Sequence, residues 1–341
     1  MLFEPSLLTT IWGGRKLKPY KGLEPTDEPI GESWEVSAIP SSVSIISNGI
    51  WKGRDLNYLI EEFPNEILGK KVNDKYQGKL PLLVKFLDAN RDLSIQVHPD
   101  EEMAQRLYGK RGKAEMWYVI DADADSHLFV GFNREISLEE YHRRIAEGTI
   151  TEVLADHKVK PGDVFFIPAG CVHALCGGIM VAEVQQSSDV TYRIYDYNRR
   201  DADGNLRQLH TEEAMDAIDF SGIQNHASTR YQTQQNGTTT LAACPYFITN
   251  LLSIDQPIRK NLEDFDTFVV YMCIDGIAAV KSMDTIVPLH AGECVLVPAM
   301  AERVELFSEG PAKLLEVYID TTDWNDQPSN ENVWIAQFIA K

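Results

Sequence analysis

The sequence predicts a mainly β protein of two related jelly-roll barrels with short accessory helices. Three observations carry this. Many short apolar runs are bounded by Gly, Pro, Asp or Asn, among them 84–87, 93–97, 116–120, 127–130, 164–167, 179–185 and 191–195. The strand–helix–strand alternation of a doubly wound sheet is missing. And Lys160-Pro161-Gly162-Asp163-Val164-Phe165-Phe166-Ile167-Pro168-Ala169 is echoed 130 residues later by His290-Ala291-Gly292-Glu293-Cys294-Val295-Leu296-Val297-Pro298-Ala299. Each copy reads as a glycine turn, a carboxylate, an apolar strand and a closing Pro-Ala, as two related barrels would repeat it.

In chain order, residues 1–50 read as turns and short strands. Trp12-Gly13-Gly14-Arg15 is a tight turn, and Gly31 to Ser37 alternates as a strand does. Leu56, Leu59, Ile60 and Phe63 line one face of a helix across 55–69. Asp100 caps a second helix running to Tyr108, and Ser137 caps a third running to Glu147. Glu140 completes a capping-box pattern with Ser137. His142, inside that helix, is read as a surface histidine. Leu209 to Ile218 is expected to be helical, and the polar stretch 225–240 to be an exposed hairpin or loop. That stretch sets the domain boundary, with a catalytic barrel over 1–225 and a second barrel without a metal site over 240–341.

At 341 residues the chain is long enough for two cores. Its net charge of -19 works against nucleic acid and anionic membranes as partners. A phosphorylated substrate would therefore need a local cationic pocket. Cys171, Cys176, Cys244, Cys273 and Cys294 are odd in number and form no CxxC pair, so a disulfide framework is not implied. No signal-like N-terminus and no apolar run of membrane-spanning length is present, and a cytoplasmic location is expected.

His98, Glu115 and His173 form a candidate metal triad. Gln96 and His98 close an apolar run, and the period of two puts them on one side of a strand. Glu115 opens the run Met116 to Ile120, and His173 follows Phe165 to Gly170. Imidazole and carboxylate groups arriving from neighbouring strands can hold a divalent metal. Taken singly, each has a plainer explanation as a satisfied polar residue. The second copy of the repeat has Arg303 where the first has His173, so the second barrel is read as structural. Charged residues accompany the triad. Lys113 lies two residues before Glu115, while Lys85, Glu183 and Arg193 sit within mostly apolar strands, where a charge needs a partner or a role. A structural Glu183–Arg193 ion pair is the plain alternative there.

These segments resemble the type I mannose-6-phosphate isomerases, especially the short bacterial form. The matching text is Pro81-Leu82-Leu83-Val84-Lys85, Leu93-Ser94-Ile95-Gln96-Val97-His98-Pro99-Asp100 and Gly112-Lys113-Ala114-Glu115-Met116-Trp117. It continues with Pro168-Ala169-Gly170-Cys171-Val172-His173-Ala174, then Glu183, then Ser188 to Arg193. The resemblance implies a cupin fold and interconversion of mannose 6-phosphate and fructose 6-phosphate. It further implies one zinc ion per chain, bound by Gln96, His98, Glu115 and His173. It makes Arg193 a catalytic residue, puts Lys113 and Glu183 in the pocket, and places Ser94 and Lys85 at active-site positions.

Aldose–ketose isomerisation through a cis-enediol needs an acid–base group and positive charge near two sugar oxygens. Arg193 is the expected charge stabiliser and a candidate phosphate contact, and Lys113 an oxygen or phosphate contact. Glu183 is the expected acid–base residue, with an orienting role as its alternative. The expected partner is a small phosphorylated sugar, with no nucleic acid or membrane, and the expected state is a monomer, with a dimer as the alternative. Two rival functions stay open: another cupin metalloenzyme such as an iron oxygenase, and a sugar-binding protein without activity.

Overall fold

The computed structural model describes residues 1–200, 203–222 and 228–321. Apolar side chains facing two ways along the same strands dictate its layers. In the first half, a six-stranded antiparallel sheet runs in the order Val164–Ile167, Glu115–Ala122, Ile179–Gln186, Leu82–Ala89, Ser6–Gly14, Ile30–Val36. A five-stranded sheet lies against it, in the order Tyr192–Tyr195, Ile95–Val97, His173–Leu175, His127–Phe132, Leu154–Lys158. Trp117, Val119, Phe165, Ile167 and Val181 of the large sheet share one core with Leu128, Val130 and Leu175 of the small one.

The second half repeats this plan with one strand fewer in each sheet. Its large sheet runs Cys294–Val297, Val269–Asp275, Ala312–Tyr318, Ile248–Ile254, Gly237–Ala243. Its small sheet runs Ile258–Asn261, Arg303–Ser308, Ile277–Ser282, Thr285–His290. The two copies of the sequence repeat, Val164–Ile167 and Cys294–Val297, are the same edge strand in each large sheet, with Phe165 opposite Trp117 and Val295 opposite Tyr271. Neither pair of sheets closes into a hydrogen-bonded ring among the described residues. The expected barrels are thus two-sheet jelly rolls.

The large sheets meet back to back. Val84, Phe86, Met116, Ala182 and Val184 of the first pack in one cluster with Leu251, Val270, Met272, Leu296 and Leu315 of the second. Both faces of these sheets are covered, which is why Leu82–Ala89 and Ile179–Gln186 are buried at every position. Segments 1–50 and the helical stretch 56–76 pack around the same cluster, with Leu56, Leu59, Ile60 and Leu68 inside it.

Several local expectations change. The helix over 55–69 is two helices, Leu56–Glu62 and Pro64–Leu68, because Pro64 cannot continue the hydrogen-bond ladder and drives Phe63 out of helical geometry. A further helix, Lys70–Tyr76, follows. Asp100 caps Glu101–Tyr108 by accepting from the Met103 amide at 2.7 Å. Ser137 caps Leu138–Glu147, accepting from the Glu140 amide at 3.1 Å, but the box is not reciprocal. The Glu140 carboxylate turns to Arg134 at 2.7 Å and Arg144 at 3.3 Å instead. Leu209–Ile218 shortens to Thr211–Met215. Of the 225–240 stretch, 225–227 lie outside the described residues, and a strand has already begun at Gly237. All five cysteines are free thiols, and among the described residues no helix is long and apolar enough to cross a membrane.

Candidate metal centre

The two sheets of the first jelly roll bring the predicted residues to one place by register. On the small sheet Arg193, Gln96, His173 and Val130 stand side by side on successive strands. On the large sheet Trp34, Lys85, Glu183, Trp117 and Phe165 form the corresponding row. Glu115, two residues before Trp117, shares its face. Sites brought together this way come from strands far apart in sequence but adjacent in the sheet.

Turns set the remaining positions. His98 follows the last strand residue, Val97, and its carbonyl accepts from the Gly170 amide at 2.9 Å, which ties it to the turn leading to His173. Lys113 precedes its strand rather than lying in it. The chain can enter there because residue 112 is glycine: a Cβ on Gly112 would come within 2.5 Å of the Glu101 amide nitrogen. The Lys113 amide then bonds to the Pro99 carbonyl at 3.1 Å.

One nitrogen or oxygen from each of His98, Glu115 and His173 lies within 4.8 Å of the others, and all three residues are buried. Each imidazole engages a backbone carbonyl through Nδ1: His98 with Val190 at 3.1 Å, His173 with Cys171 at 2.9 Å. A proton on Nδ1 leaves the Nε2 lone pair for an ion, the usual support for a ligating histidine. Glu115 Oε1 lies 3.2 Å from His173 Nε2, and Oε2 lies 3.4 Å from His98 Nε2. Neither oxygen has a well-aligned hydrogen bond, although Lys113 Nζ approaches Oε2 to 2.9 Å. Buried carboxylate oxygens left this way call for a cation. The same ammonium is 3.0 Å from His98 Nε2, so positive charge is already favoured at this spot. The donor set therefore fits a divalent metal.

Electrostatics agree. Burial and the Lys113 charge push His98 down to about 3, keeping its ring neutral. Burial alone would raise Glu115, but Lys113, His98 and His173 hold it well below the usual carboxylate range. Both groups are thus in ligand-competent protonation states at neutral pH. The Gln96 side chain joins them, its amide nitrogen 3.3 Å from His173 Nε2. A half-turn of the amide exchanges its oxygen and nitrogen, which would present the oxygen to the cluster.

The charged residues do not form the Glu183–Arg193 pair that was the plain alternative to a functional role. Glu183 Oε1 lies 3.0 Å from Lys85 Nζ and Oε2 accepts from the Trp117 indole at 3.0 Å. Lys85 is also 3.4 Å from Glu32, and although burial disfavours its charge, Glu183 and Glu32 together raise its pKa. Arg193 instead donates from Nε to Ser94 Oγ at 3.3 Å and from Nη1 to the Gln208 carbonyl at 2.9 Å. Sequence reasoning misses Glu32 and Trp34 as site residues. Their alternation in Gly31 to Ser37 is readable, but nothing in sequence says which strand lies beside Lys85.

In the second jelly roll the corresponding positions are apolar. Val269, opposite Val297, occupies the place of Glu115 opposite Ile167. Val304, opposite Lys260, occupies that of His173 opposite Gln96. Arg303 lies on the exposed side, 3.3 Å from Glu263. Among the described residues, His98, Glu115 and His173 are the one group of three that could hold a metal.

Residues 2–143 match the family model for the phosphomannose isomerase type I catalytic domain, a span that includes His98 and Glu115 and ends before His173. The chain is similar to mannose-6-phosphate isomerase ManA of Bacillus subtilis, 36% identical over 300 residues, covering 87% of this chain and 92% of the relative. It is similar to the mannose-6-phosphate isomerase of Streptococcus mutans, 40% identical over 251 residues, covering 74% and 78%. Its structure is similar to the crystal structure of the Bacillus subtilis mannose 6-phosphate isomerase, with a TM-score of 0.82 at 32% identity over 93% of this chain and 99% of that one. With a third of its residues shared along almost its full length, and the ligand cluster within the matched fold, the chain belongs to the type I phosphomannose isomerase family.

Proposed function

We propose that this protein interconverts D-mannose 6-phosphate and D-fructose 6-phosphate through a cis-enediol, with one zinc ion held by His98, Glu115 and His173 and with Gln96 as a fourth protein ligand. The observation that carries the metal part is the buried donor set whose carboxylate oxygens lack aligned hydrogen bonds. The activity comes from the named relatives. Two imidazole nitrogens and a carboxylate suit zinc. When bound, the ion supplies Lewis-acid polarisation to adjacent carbonyl and hydroxyl oxygens.

The chain's own residues do the rest. Lys113 brings an ammonium to the ligand atoms and is the proposed contact for charge developing on a sugar oxygen. Arg193, level with Gln96 and His173, stabilises negative charge from the small-sheet side, with Ser94 fixing its guanidinium. Glu183 and Lys85 form the opposite wall. Glu183 pairs with Lys85 through Oε1, without an aligned hydrogen bond, and accepts from the Trp117 indole through Oε2, an arrangement that favours the orienting role: Glu183 holds Lys85, and Lys85 faces the substrate. Trp117 stacks edge-on against His173 with centroids 5.5 Å apart, helping to keep the site dry and the ring fixed. Together these cations offset the chain's negative charge for an anionic sugar. Residues 1–225 are the proposed catalytic domain, and 240–341 a domain that covers its back.

The test is a coupled assay on mannose 6-phosphate before and after chelation, with zinc added back. Activity lost and regained is the expected result. Full turnover by metal-free protein rejects the metal role. Dioxygen consumption, or sugar binding with no isotope exchange at carbon 2, rejects the isomerase.

A further inference from the structure

Lys113 brings its ammonium to two candidate ligand atoms, yet no strand holds it. It lies in the irregular stretch 109–114, between the helix Glu101–Tyr108 and the strand that starts at Glu115. A lysine side chain is long and flexible, and its ammonium is strongly hydrated in water. Here it is buried, 2.9 Å from Glu115 Oε2 and 3.0 Å from His98 Nε2. A divalent ion at those atoms repels a neighbouring ammonium. Groups other than the ligand atoms must therefore fix the backbone that carries Lys113.

Gln186 and Glu101 do so together. Gln186 ends the strand Ile179–Gln186 and is 3% exposed. Its Oε1 accepts from the Ala114 amide at 2.9 Å, and its own amide donates to the Ala114 carbonyl at 3.1 Å. Its Nε2 donates to Glu101 Oε2 at 3.0 Å. That same carboxylate oxygen accepts from the Gly112 amide at 3.0 Å, and Oε1 accepts from Arg111 Nη1 at 2.8 Å. The amides on both sides of Lys113 thus end on one Gln186–Glu101 unit. Ser188 Oγ adds a donor to the Arg111 carbonyl at 2.8 Å. Turning the Gln186 amide over would set donor against donor and acceptor against acceptor, so its orientation is fixed. The metal ligands have supports of their own. Glu115 is held in register with Ile167 and Gln185 on its two sides, and each histidine ring is held by a backbone carbonyl. A buried glutamine tied to a carboxylate costs desolvation, and what this one secures is the turn that carries Lys113.

We propose that Gln186, together with Glu101, is a positioning residue that sets Lys113 beside the metal-ligand atoms and acts on turnover through it. The proposal rests on the sugar-phosphate isomerase reading above.

The experiment is a double-mutant cycle in metal-loaded full-length protein: the parent, Gln186→Ala, Lys113→Ala and the two combined. Gln186→Ala is expected to lower kcat about 10- to 100-fold, because a displaced ammonium loses its hold on charge that develops only in the transition state. KM for mannose 6-phosphate and metal content should stay close to the parent. In the Lys113→Ala background the same change should alter kcat by less than about twofold. Equal losses in both backgrounds, or an unchanged kcat in Gln186→Ala, overturn the proposal. A charge exchange supplies the rescue. Gln186→Glu alone sets a second carboxylate against Glu101 and should lower kcat. Adding Glu101→Gln restores one acid and one amide and should recover part of it, and no recovery counts against the unit. If Gln186→Ala does not fold, Glu101→Ala, at the partly exposed start of a helix, is carried through the same cycle with the same outcomes. If the parent proves not to be an isomerase, hydrogen exchange decides. The Lys113 amide bonds to Pro99 rather than to Gln186, so faster exchange there in Gln186→Ala supports the positioning, and unchanged protection overturns it.

Discussion

Lys85 and Glu183 stand directly opposite one another on neighbouring strands, Nζ 3.0 Å from Oε1, both buried in the wall that faces the metal-ligand cluster. Trp117 holds the other carboxylate oxygen, which fixes Glu183 as an anchor for Lys85. Glu183→Gln is therefore expected to lower kcat by about 10- to 100-fold, through a misplaced Lys85, while isotope exchange at carbon 2 persists. Complete loss of that exchange in a folded variant would instead make Glu183 the acid–base group.

His98→Ala and His173→Ala are each expected to lose bound metal, read by elemental analysis, and turnover with it. Because metal bound only by the folded state stabilises it, the parent should melt higher with saturating zinc, by about 2.7 kcal/mol at a hundredfold excess over Kd. The two variants should lose that increment. A variant that retains stoichiometric metal removes its residue from the ligand set.

Gln96→Ala separates a ligand from a bystander. As a ligand through its amide oxygen, Gln96 should contribute about 10- to 100-fold in metal affinity, measured by competition with a chelator. Unchanged affinity would leave three protein ligands and confine Gln96 to orienting His173, whose Nε2 lies 3.3 Å away.

The second jelly roll keeps one buried ion pair where the first keeps its active site. Glu316, the register counterpart of Glu183, bonds Lys260 Nζ at 2.6 Å, Tyr271 Oη at 3.0 Å and Asn250 Nδ2 at 3.0 Å. Glu316→Ala should cost about 3–5 kcal/mol of stability by leaving the Lys260 ammonium poorly compensated. Metal content should not change, and a loss of metal would contradict a purely structural role. Denaturant unfolding read alongside elemental analysis checks both.

Acid sensitivity has a defined sign at Asp196. Burial would raise its pKa, but Arg207 and Arg199 hold it below the ordinary value. A depressed carboxylate stabilises the fold above its unfolded pKa, near ~3.9, and loses that contribution as pH falls through the lower folded value. Stability measured from pH 5 downward should fall less steeply in Asp196→Asn than in the parent. Parallel curves would reject the linkage.

Much of the site is legible in the sequence because its markers are local. The Gln96–His98 alternation, the Lys113–Glu115 pair and the two Pro-Ala strand ends each lie within ten residues, and strand period fixes which side chains share a face. The partners of Lys85 are not legible in this way. Glu32, Lys85 and Glu183 are brought together by pairing among three strands whose order in the sheet does not follow the chain. Arg303 shows the opposite failure. Sequence spacing puts it at the His173 position, but a shift of one residue turns Val304 inward and leaves Arg303 in solvent.

From sequence alone come the mainly β class, the internal duplication and the three metal-ligand candidates, since turn chemistry, alternation and motif spacing are properties of short segments. Tertiary structure alone decides that the large sheets share a core back to back, that Glu183 pairs with Lys85 rather than Arg193, and that Asp196 takes both Arg199 and Arg207. The reason is physical. Strand pairing and sheet packing bring together residues tens to hundreds of positions apart, and which ones meet depends on register and burial summed over the whole chain.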